Sequence, residues 1–313
     1  MVKNVSSKKW WAWLFLLIPT LLVIIGIGMF PYPLHGDVIF ILNLPLFSGL
    51  LLLLGGYIYN ASVRGRMLSM AGWILFAAYW SVQPNTLYFG EDGDIFNAGL
   101  CIIGVYVLFY FAYHEWLSLQ RRNEPVESLR WAAGAAAVAG LIYFSIEKTP
   151  LAPWLIQLVA GQSAALLNLF TGNVTVQEGI HISYEGNYVV TIIFACTAVQ
   201  SMVLFIGMIL PLSKVELKRK IMALVITIVP VYLLNLVRNA GITYLLGTRI
   251  TDFNMAHNVI GKGGSLIALL ILLFLVAKII PEVFDEIVSL ADLPKRKGPL
   301  ESYLQQVLTG GKR

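Results

Sequence analysis

Long apolar runs alternate with short polar links along this chain, at residues 10–30, 38–59, 67–82, 97–117, 129–146, 190–212, 221–246 and 259–280. As a helix, an apolar run of about 17 to 25 residues is long enough to cross a hydrocarbon core about 30 Å thick. The pattern therefore predicts about eight transmembrane helices. The first is expected to persist as an anchor, because its apolar stretch exceeds the ~7 to 15 residues of a signal-peptide core and no small-residue cleavage site follows it.

Two segments break the pattern. Residues 149–170 are apolar enough for a ninth crossing, but Trp154, Gln157, Gln162 and Asn168 give them a polar side, and Thr149-Pro150 with Pro153 suits the start of a helix. They are expected to lie as a helix at the outer interface. Further on, Val174, Val176, Ile180, Ile182 and Tyr184 alternate with polar residues, and Glu178-Gly179 or Glu185-Gly186 supplies a turn, so a small extracytoplasmic β-hairpin is expected. The fold class is an all-α polytopic membrane protein with one integral membrane domain. Residues 1–146 hold five spans, 147–190 the interfacial helix and hairpin, and 190–280 three spans with the chemistry. Residues 281–313 form a cytoplasmic tail, whose Glu282, Asp285 and Glu286 read as the solvated cap of a helix. No internal repeat, low-complexity tract or soluble second domain is visible.

Composition agrees with the pattern, and charge orients it. Apolar residues make up 58% of 313 positions and charged residues 12%, where a soluble domain carries about 25% charged residues. Lys3, Lys8 and Lys9 precede the first run, Arg64 and Arg66 follow the second, and Arg121, Arg122 and Arg130 flank the link between the fourth and fifth. Lys214, Lys218, Arg219 and Lys220 join the sixth to the seventh, and Lys295, Arg296 and Lys297 follow the eighth. The positive-inside rule assigns these segments to the cytoplasm, with both termini inside and the loop holding Glu91, Asp92 and Asp94 outside. A crossing by residues 149–170 would send two basic segments outward, which is why they are assigned to the interface. The net charge of +5 reflects inner loops facing an anionic leaflet and gives no reason to expect nucleic acid as a partner.

Three reactive side chains fall near the outer ends of the last three runs. Cys196 is expected about six residues inside the sixth run, roughly 9 Å below its outer edge. Arg238 lies about 17 residues into the seventh, roughly 25 Å from its inner end. An intramembrane guanidinium is expensive enough to mark a functional site by default, and Asn235 and Asn239 make its stretch of helix polar rather than lipid-facing. His257 opens the eighth run. Together they suit acyl transfer: a thiolate attacks a carbonyl, Arg238 stabilises the thiolate or the oxyanion, and His257 moves the proton. Thr197, Ser201 and Asn239 are candidate supports, although either hydroxyl is equally able to bond a helix carbonyl. Asp252 is read as orienting His257 or capping its loop, and Arg249 and Lys262 as meeting a lipid phosphate or serving as solvated anchors. His181 is the rival histidine. Cys101 would silence the nucleophile if it formed a disulfide with Cys196, but its apolar neighbours mark an ordinary buried position. The chain lacks His-Glu-x-x-His and Gly-x-Ser-x-Gly, and neither a metal nor a cofactor is called for. The other reading of Arg238 is a transporter that binds an anionic substrate.

The ordered set Ala195-Cys196-Thr197-Ala198-Val199-Gln200-Ser201, then Asn235-Leu236-Val237-Arg238-Asn239, then His257-Asn258 resembles the exosortase and archaeosortase family of membrane transpeptidases. The resemblance spans about residues 183–280, and Ala-Cys-Thr-Ala with the Asn-rich arginine motif is most similar to the archaeosortase A branch. It implies a sorting enzyme whose partners are secreted proteins with a tripartite C-terminal signal: a short motif, an apolar helix and a basic tail. It further implies cleavage near that motif and transfer of the new C-terminus to a membrane lipid. For this branch the motif is of the Pro-Gly-Phe type, and surface-layer glycoproteins are among the substrates. By the same resemblance Cys196 matches the nucleophile, Arg238 the paired arginine and His257 the third member.

Overall fold

The computed structural model describes residues 10–59, 62–90, 93, 95–121 and 124–308. Lys3, Lys8, Lys9, Glu91, Asp92, Asp94 and Arg122, used above to orient the chain, lie outside the described residues. The helices are α1 (Leu14–Met29), α2 (Gly36–Ile58), α3 (Val63–Ser81), α4 (Pro84–Phe89), α5 (Ile95–Gln120), α6 (Glu127–Glu147), α7 (Leu151–Thr171), α8 (Val199–Ile209), α9 (Leu217–Gly247), α10 (Gly263–Ile279), α11 (Pro281–Ala291) and α12 (Pro299–Leu308). Strands β1 (Val174–Gln177), β2 (His181–Tyr184) and β3 (Asn187–Thr191) stand between α7 and α8. The chain divides into two compact units, Met1–Ala137 with Glu286–Arg313, and Val138–Asp285.

Among the described residues, seven helices are long and apolar enough to cross a membrane: Trp11–Met29, Gly36–Ile58, Ile95–Gln120, Glu127–Glu147, Leu151–Thr171, Leu217–Gly247 and Asn254–Ile279. Large apolar side chains such as Phe40, Leu44 and Phe274 remain exposed on them, as lipid-facing surfaces require. Two expectations are corrected. Residues 190–212 are not one continuous helix: Val190 belongs to β3, and α8 has 11 residues, about 16 Å of helix, roughly half the hydrocarbon thickness. Residues 67–82 do form a helix, α3, but it falls short of the apolar composition of a span. Its polar Arg66 and Ser69 are buried with Trp73 and Ala77 instead of facing lipid. Residues 149–170, assigned to the interface, form α7, which is long and apolar enough to cross. Two polar residues of α7 bond protein while remaining exposed: Asn168 accepts from the Val174 N–H at 2.8 Å and donates to its carbonyl at 2.7 Å, and Gln162 bonds the Tyr232 hydroxyl.

In the first unit α2 and α3 pack backbone to backbone. A Cβ on Gly72 would stand 2.8 Å from the Leu53 nitrogen and 2.9 Å from the Gly49 carbonyl oxygen, so small residues set this approach. The unit closes on its own tail. Glu301 of α12 accepts from the Tyr110 hydroxyl at 2.8 Å and the Tyr113 hydroxyl at 2.9 Å, with His114 Nε2 3.1 Å away. Arg296 donates to the Ser118 hydroxyl at 3.2 Å and lies 3.5 Å from the Glu124 carboxylate. Basic residues read above as loop charges have specific partners too. Arg66 donates to the Glu124 carbonyl at 2.6 Å, and Arg121 to the Arg296 carbonyl at 2.8 Å.

In the second unit the expected hairpin is a three-stranded antiparallel sheet in the order β1-β2-β3, because both candidate turns form. Glu178 and Gly179 have φ of 49° and 76°, Glu185 and Gly186 have 50° and 80°, and successive left-handed residues match the twist that joins adjacent strands. Val174 pairs with Tyr184 and His181 with Thr191. Buried Ile182 and Ile192 pack with Val159 and Ala160 of α7. Tyr184 fills the space above Gly247, where a Cβ would stand 2.7 Å from its ring, so the sheet sits at the C-terminal end of α9. At the other end, Arg219 donates to both oxygens of Glu282 at 2.9 and 3.0 Å. Glu282 is therefore an ion-pair partner rather than a purely solvated cap, and the Arg219 guanidinium holds its carboxyl below the ordinary carboxylate range.

Burial alone would raise the Glu301 carboxyl, but His114, its own backbone N–H and the two tyrosine hydroxyls outweigh it and hold the carboxyl at about 2, against an ordinary 4.5. A carboxyl depressed by folding adds stability above its unfolded pKa and loses it as pH falls through the folded one. Thermal unfolding of the detergent-solubilised protein should accordingly show Glu301→Gln less stable than the parent at pH 7. The gap should narrow from about pH 4.5 downward and vanish near pH 2. A gap independent of pH would remove the ionised carboxylate from the account of tail docking.

Candidate active site

Cys196 does not lie inside a helix as expected. After β3 the Ile192 N–H still donates to the Ile180 carbonyl at 2.9 Å, Ile193 is extended, and Phe194–Thr197 make a single 3₁₀ turn closed by the Cys196 N–H on the Ile193 carbonyl at 2.8 Å. Ala198 then takes the left-handed conformation with φ of 64°, and α8 begins at Val199. A non-glycine residue in that region is strained and persists only where its surroundings enforce it, commonly at functional sites. Ala198 brings no side chain to cap the first turn of α8. Cys196 is 8% exposed.

Its backbone is held from α9. Asn235 donates to the Cys196 carbonyl at 2.7 Å and Asn239 to the same oxygen at 3.1 Å. Residues four apart share a helix face, so this pair forms one clamp. Arg238 sits between them in sequence. Its Nε is buried without a hydrogen-bond partner, and a Cβ on Gly261 would come within 3.2 Å of it. Gly261 belongs to the π-helical segment Asn254–Lys262, a form that recurs at functional sites. That segment also carries His257, whose ring stacks on Phe253 with centroids 5.0 Å apart and planes 7° from parallel. A cavity of about 320 Å³ opens where these elements meet, lined among others by Ala198, Ser201, Asn235, Arg238 and Gly261.

The structure thus brings the Cys196 backbone, Asn235, Asn239, Arg238 and the π-helical segment together. Cys196 and His257 are not among the described residues that line the cavity. Thr197 Oγ donates to the Phe194 carbonyl at 2.7 Å, the local bond open to it from the outset, while Ser201 lines the cavity. Asp252 accepts from the Met255 N–H at 2.8 Å and so caps the π-helical segment. Arg249 is exposed and left-handed, with φ of 56°, and Lys262 ends the π-helical segment. His181 Nδ1 stands 3.0 Å from the Thr191 hydroxyl and Nε2 3.5 Å from Glu178. Cys101 donates to the Trp80 carbonyl at 3.3 Å, and neither cysteine is in a disulfide. Sequence reasoning treated Asn235 only as a polar neighbour of Arg238. The signal for its role was its four-residue spacing from Asn239.

Residues 128–275 match the family model described as the transmembrane exosortase, Exosortase_EpsH. The match covers just under half of the chain, from α6 to most of α10, and includes Cys196, Arg238 and His257. No curated protein and no solved structure matches the chain.

Removing Asn239 takes one of the two hydrogen bonds from the Cys196 carbonyl, a loss of about 0.5–1.5 kcal/mol. In a Cys101→Ala background, where Cys196 is the sole thiol, Asn239→Ala is expected to lower the unfolding temperature and to change the alkylation rate of Cys196 several-fold. An unchanged alkylation rate would show that the clamp does not set the thiol.

Proposed function

We propose that the protein is a membrane-embedded cysteine transpeptidase. It cleaves the C-terminal sorting signal of secreted proteins at the outer membrane face and passes the new C-terminus to a lipid. The observation that carries this reading is the paired hydrogen bond from Asn235 and Asn239 to the Cys196 carbonyl, which fixes the thiol's segment against the helix that bears Arg238. The likeness of residues 128–275 to transmembrane exosortases supports the same class of chemistry. The narrower likeness to archaeosortase A, with a Pro-Gly-Phe signal on surface-layer proteins, rests on the Ala-Cys-Thr-Ala and Asn-rich arginine motifs.

In this mechanism the Cys196 thiolate attacks the scissile carbonyl, and Arg238 donates to the oxyanion that develops. The C–N bond breaks, the departing amine takes a proton from His257, and a thioester remains on Cys196. A hydroxyl or amine of the lipid then attacks the thioester and gives its proton to His257. The C–S bond breaks and the thiolate is restored. Both termini are assigned to the cytoplasm, so that a substrate helix with a basic inner tail presents its motif at the outer face.

The test is mass spectrometry of the C-terminus of a candidate secreted substrate in cells with the parent chain or its variants. Cys196→Ser and Cys196→Ala should abolish both the cut and the added lipid while the protein still inserts, since a hydroxyl does not replace a thiolate without a strong adjacent base. Arg238→Lys should lose most activity, because an ammonium does not reproduce the planar fork. Full processing by Cys196→Ser would instead favour the anion-transport reading of Arg238. Orientation is checked separately with impermeant thiol reagents, which should label cysteines introduced at Asn187 and Thr251 from outside, and not those at Ser213 or Ser289. Labelling of Thr251→Cys only from the cytoplasm would put the chemistry in the wrong compartment for a secreted substrate.

A further inference from the structure

The cavity beside Arg238 is a slot rather than a bowl. On α9 its lining runs from Val231 to Leu245, a rise of about 21 Å, and on the facing helix from Ile260 to Leu272, about 18 Å. An elongated, mostly apolar space of this length suits an extended hydrocarbon chain. The ends of the slot are aliphatic, and its polar groups, Ser201, Asn235, Arg238 and Ser265, gather at the waist. Leu234 and Val237 line it while remaining 46% and 57% exposed, so its flank is open to the bilayer.

Two glycines keep the slot open. A Cβ at Gly241 or Gly264 would meet nothing within 4 Å. At the waist stands the buried Arg238 Nε with no hydrogen-bond partner. A desolvated cationic donor in an apolar channel is costly unless an anion completes it. We propose that this slot seats one hydrocarbon chain of an anionic membrane lipid, with Arg238 bonding the phosphate of its head group. Asn235 belongs both to the slot and to the clamp on Cys196, so a head group held at the waist stands beside the segment that carries the thiol. Use of the bound lipid as acceptor rests on the transpeptidase reading, whereas occupancy of the slot does not.

The experiment uses the full chain in phosphatidylcholine vesicles, without protein substrate, and a trace of lipid carrying a photoactivatable group in one chain. The probe is either phosphatidylglycerol or phosphatidylcholine. Crosslinked peptides are located by mass spectrometry. The phosphatidylglycerol probe should label α9 and α10 about tenfold more than the phosphatidylcholine probe, whose choline cation offsets the phosphate charge beside Arg238, and Arg238→Gln should erase that preference. Gly241→Leu and Gly264→Leu should each cut the labelling about tenfold by filling the slot. Gly161→Leu on α7, where a Cβ also meets nothing within 4 Å, should leave it unchanged. Equal labelling by the two lipids, or labelling untouched by both slot-filling variants, overturns the proposal. A protein that labels as described but never processes a substrate keeps the slot and loses the transpeptidase reading. One that processes without slot labelling loses the slot alone.

Discussion

The carbonyl of Cys196 is the constraint on which the site turns. Inside a bilayer, backbone that leaves the helix forfeits its internal hydrogen bonds, and such backbone survives only where protein supplies the missing partners. Between Thr191 and Val199 this chain is extended, then 3₁₀, then left-handed, and the Cys196 oxygen takes its bonds from two asparagine side chains of α9, a membrane-length helix. An unbroken helix through residue 196 would satisfy the same carbonyl with no help, but it would bury the thiol in a regular wall. Here the helix is broken, and the asparagine clamp offsets the break. It also ties the thiol's position to the register of α9, and hence to Arg238.

The two units surround their charges differently. In the first, Glu301, His114, Arg296 and Glu124 answer one another, and the Arg121 guanidinium ends on carbonyls of the tail. Such a network needs every member satisfied and specifies one docked position for α12. In the second, Arg238 Nε stands with no partner beside an open slot. An unpartnered buried guanidinium nitrogen also occurs in the first unit, at Arg66 Nε, so what sets Arg238 apart is the cavity that it lines.

The membrane class and most spans were legible because hydrophobic length is a strong signal, and α9 and α10 appear close to where apolar runs of residues 221–246 and 259–280 put them. What the sequence leaves open is decided by tertiary contacts. Asn168 and Gln162 are exposed and also bond Val174 and Tyr232, facts of packing that no window along α7 contains. Glu178-Gly179 and Glu185-Gly186 were seen as alternative turns, and the chain uses both, which turns a hairpin into a sheet that occupies residues counted toward the sixth span. The break at Ala198 was invisible, since alanine is a good helix former and its left-handed φ of 64° is imposed by its surroundings. The candidate residues were found by type and spacing alone. Which atom Asn235 and Asn239 bond was not recoverable from the sequence, because it depends on a non-helical Cys196.

The central claim is that Cys196 carries the substrate's acyl group between cleavage and transfer. Its most direct test is mass spectrometry of the full chain, acid-quenched while it processes a secreted substrate in membranes. The account predicts an added mass equal to the truncated substrate, mapped to the peptide that holds Cys196 and released by neutral hydroxylamine, as a thioester is. Processing that continues while Cys196 stays unmodified throughout, or an adduct on any other residue, would contradict it.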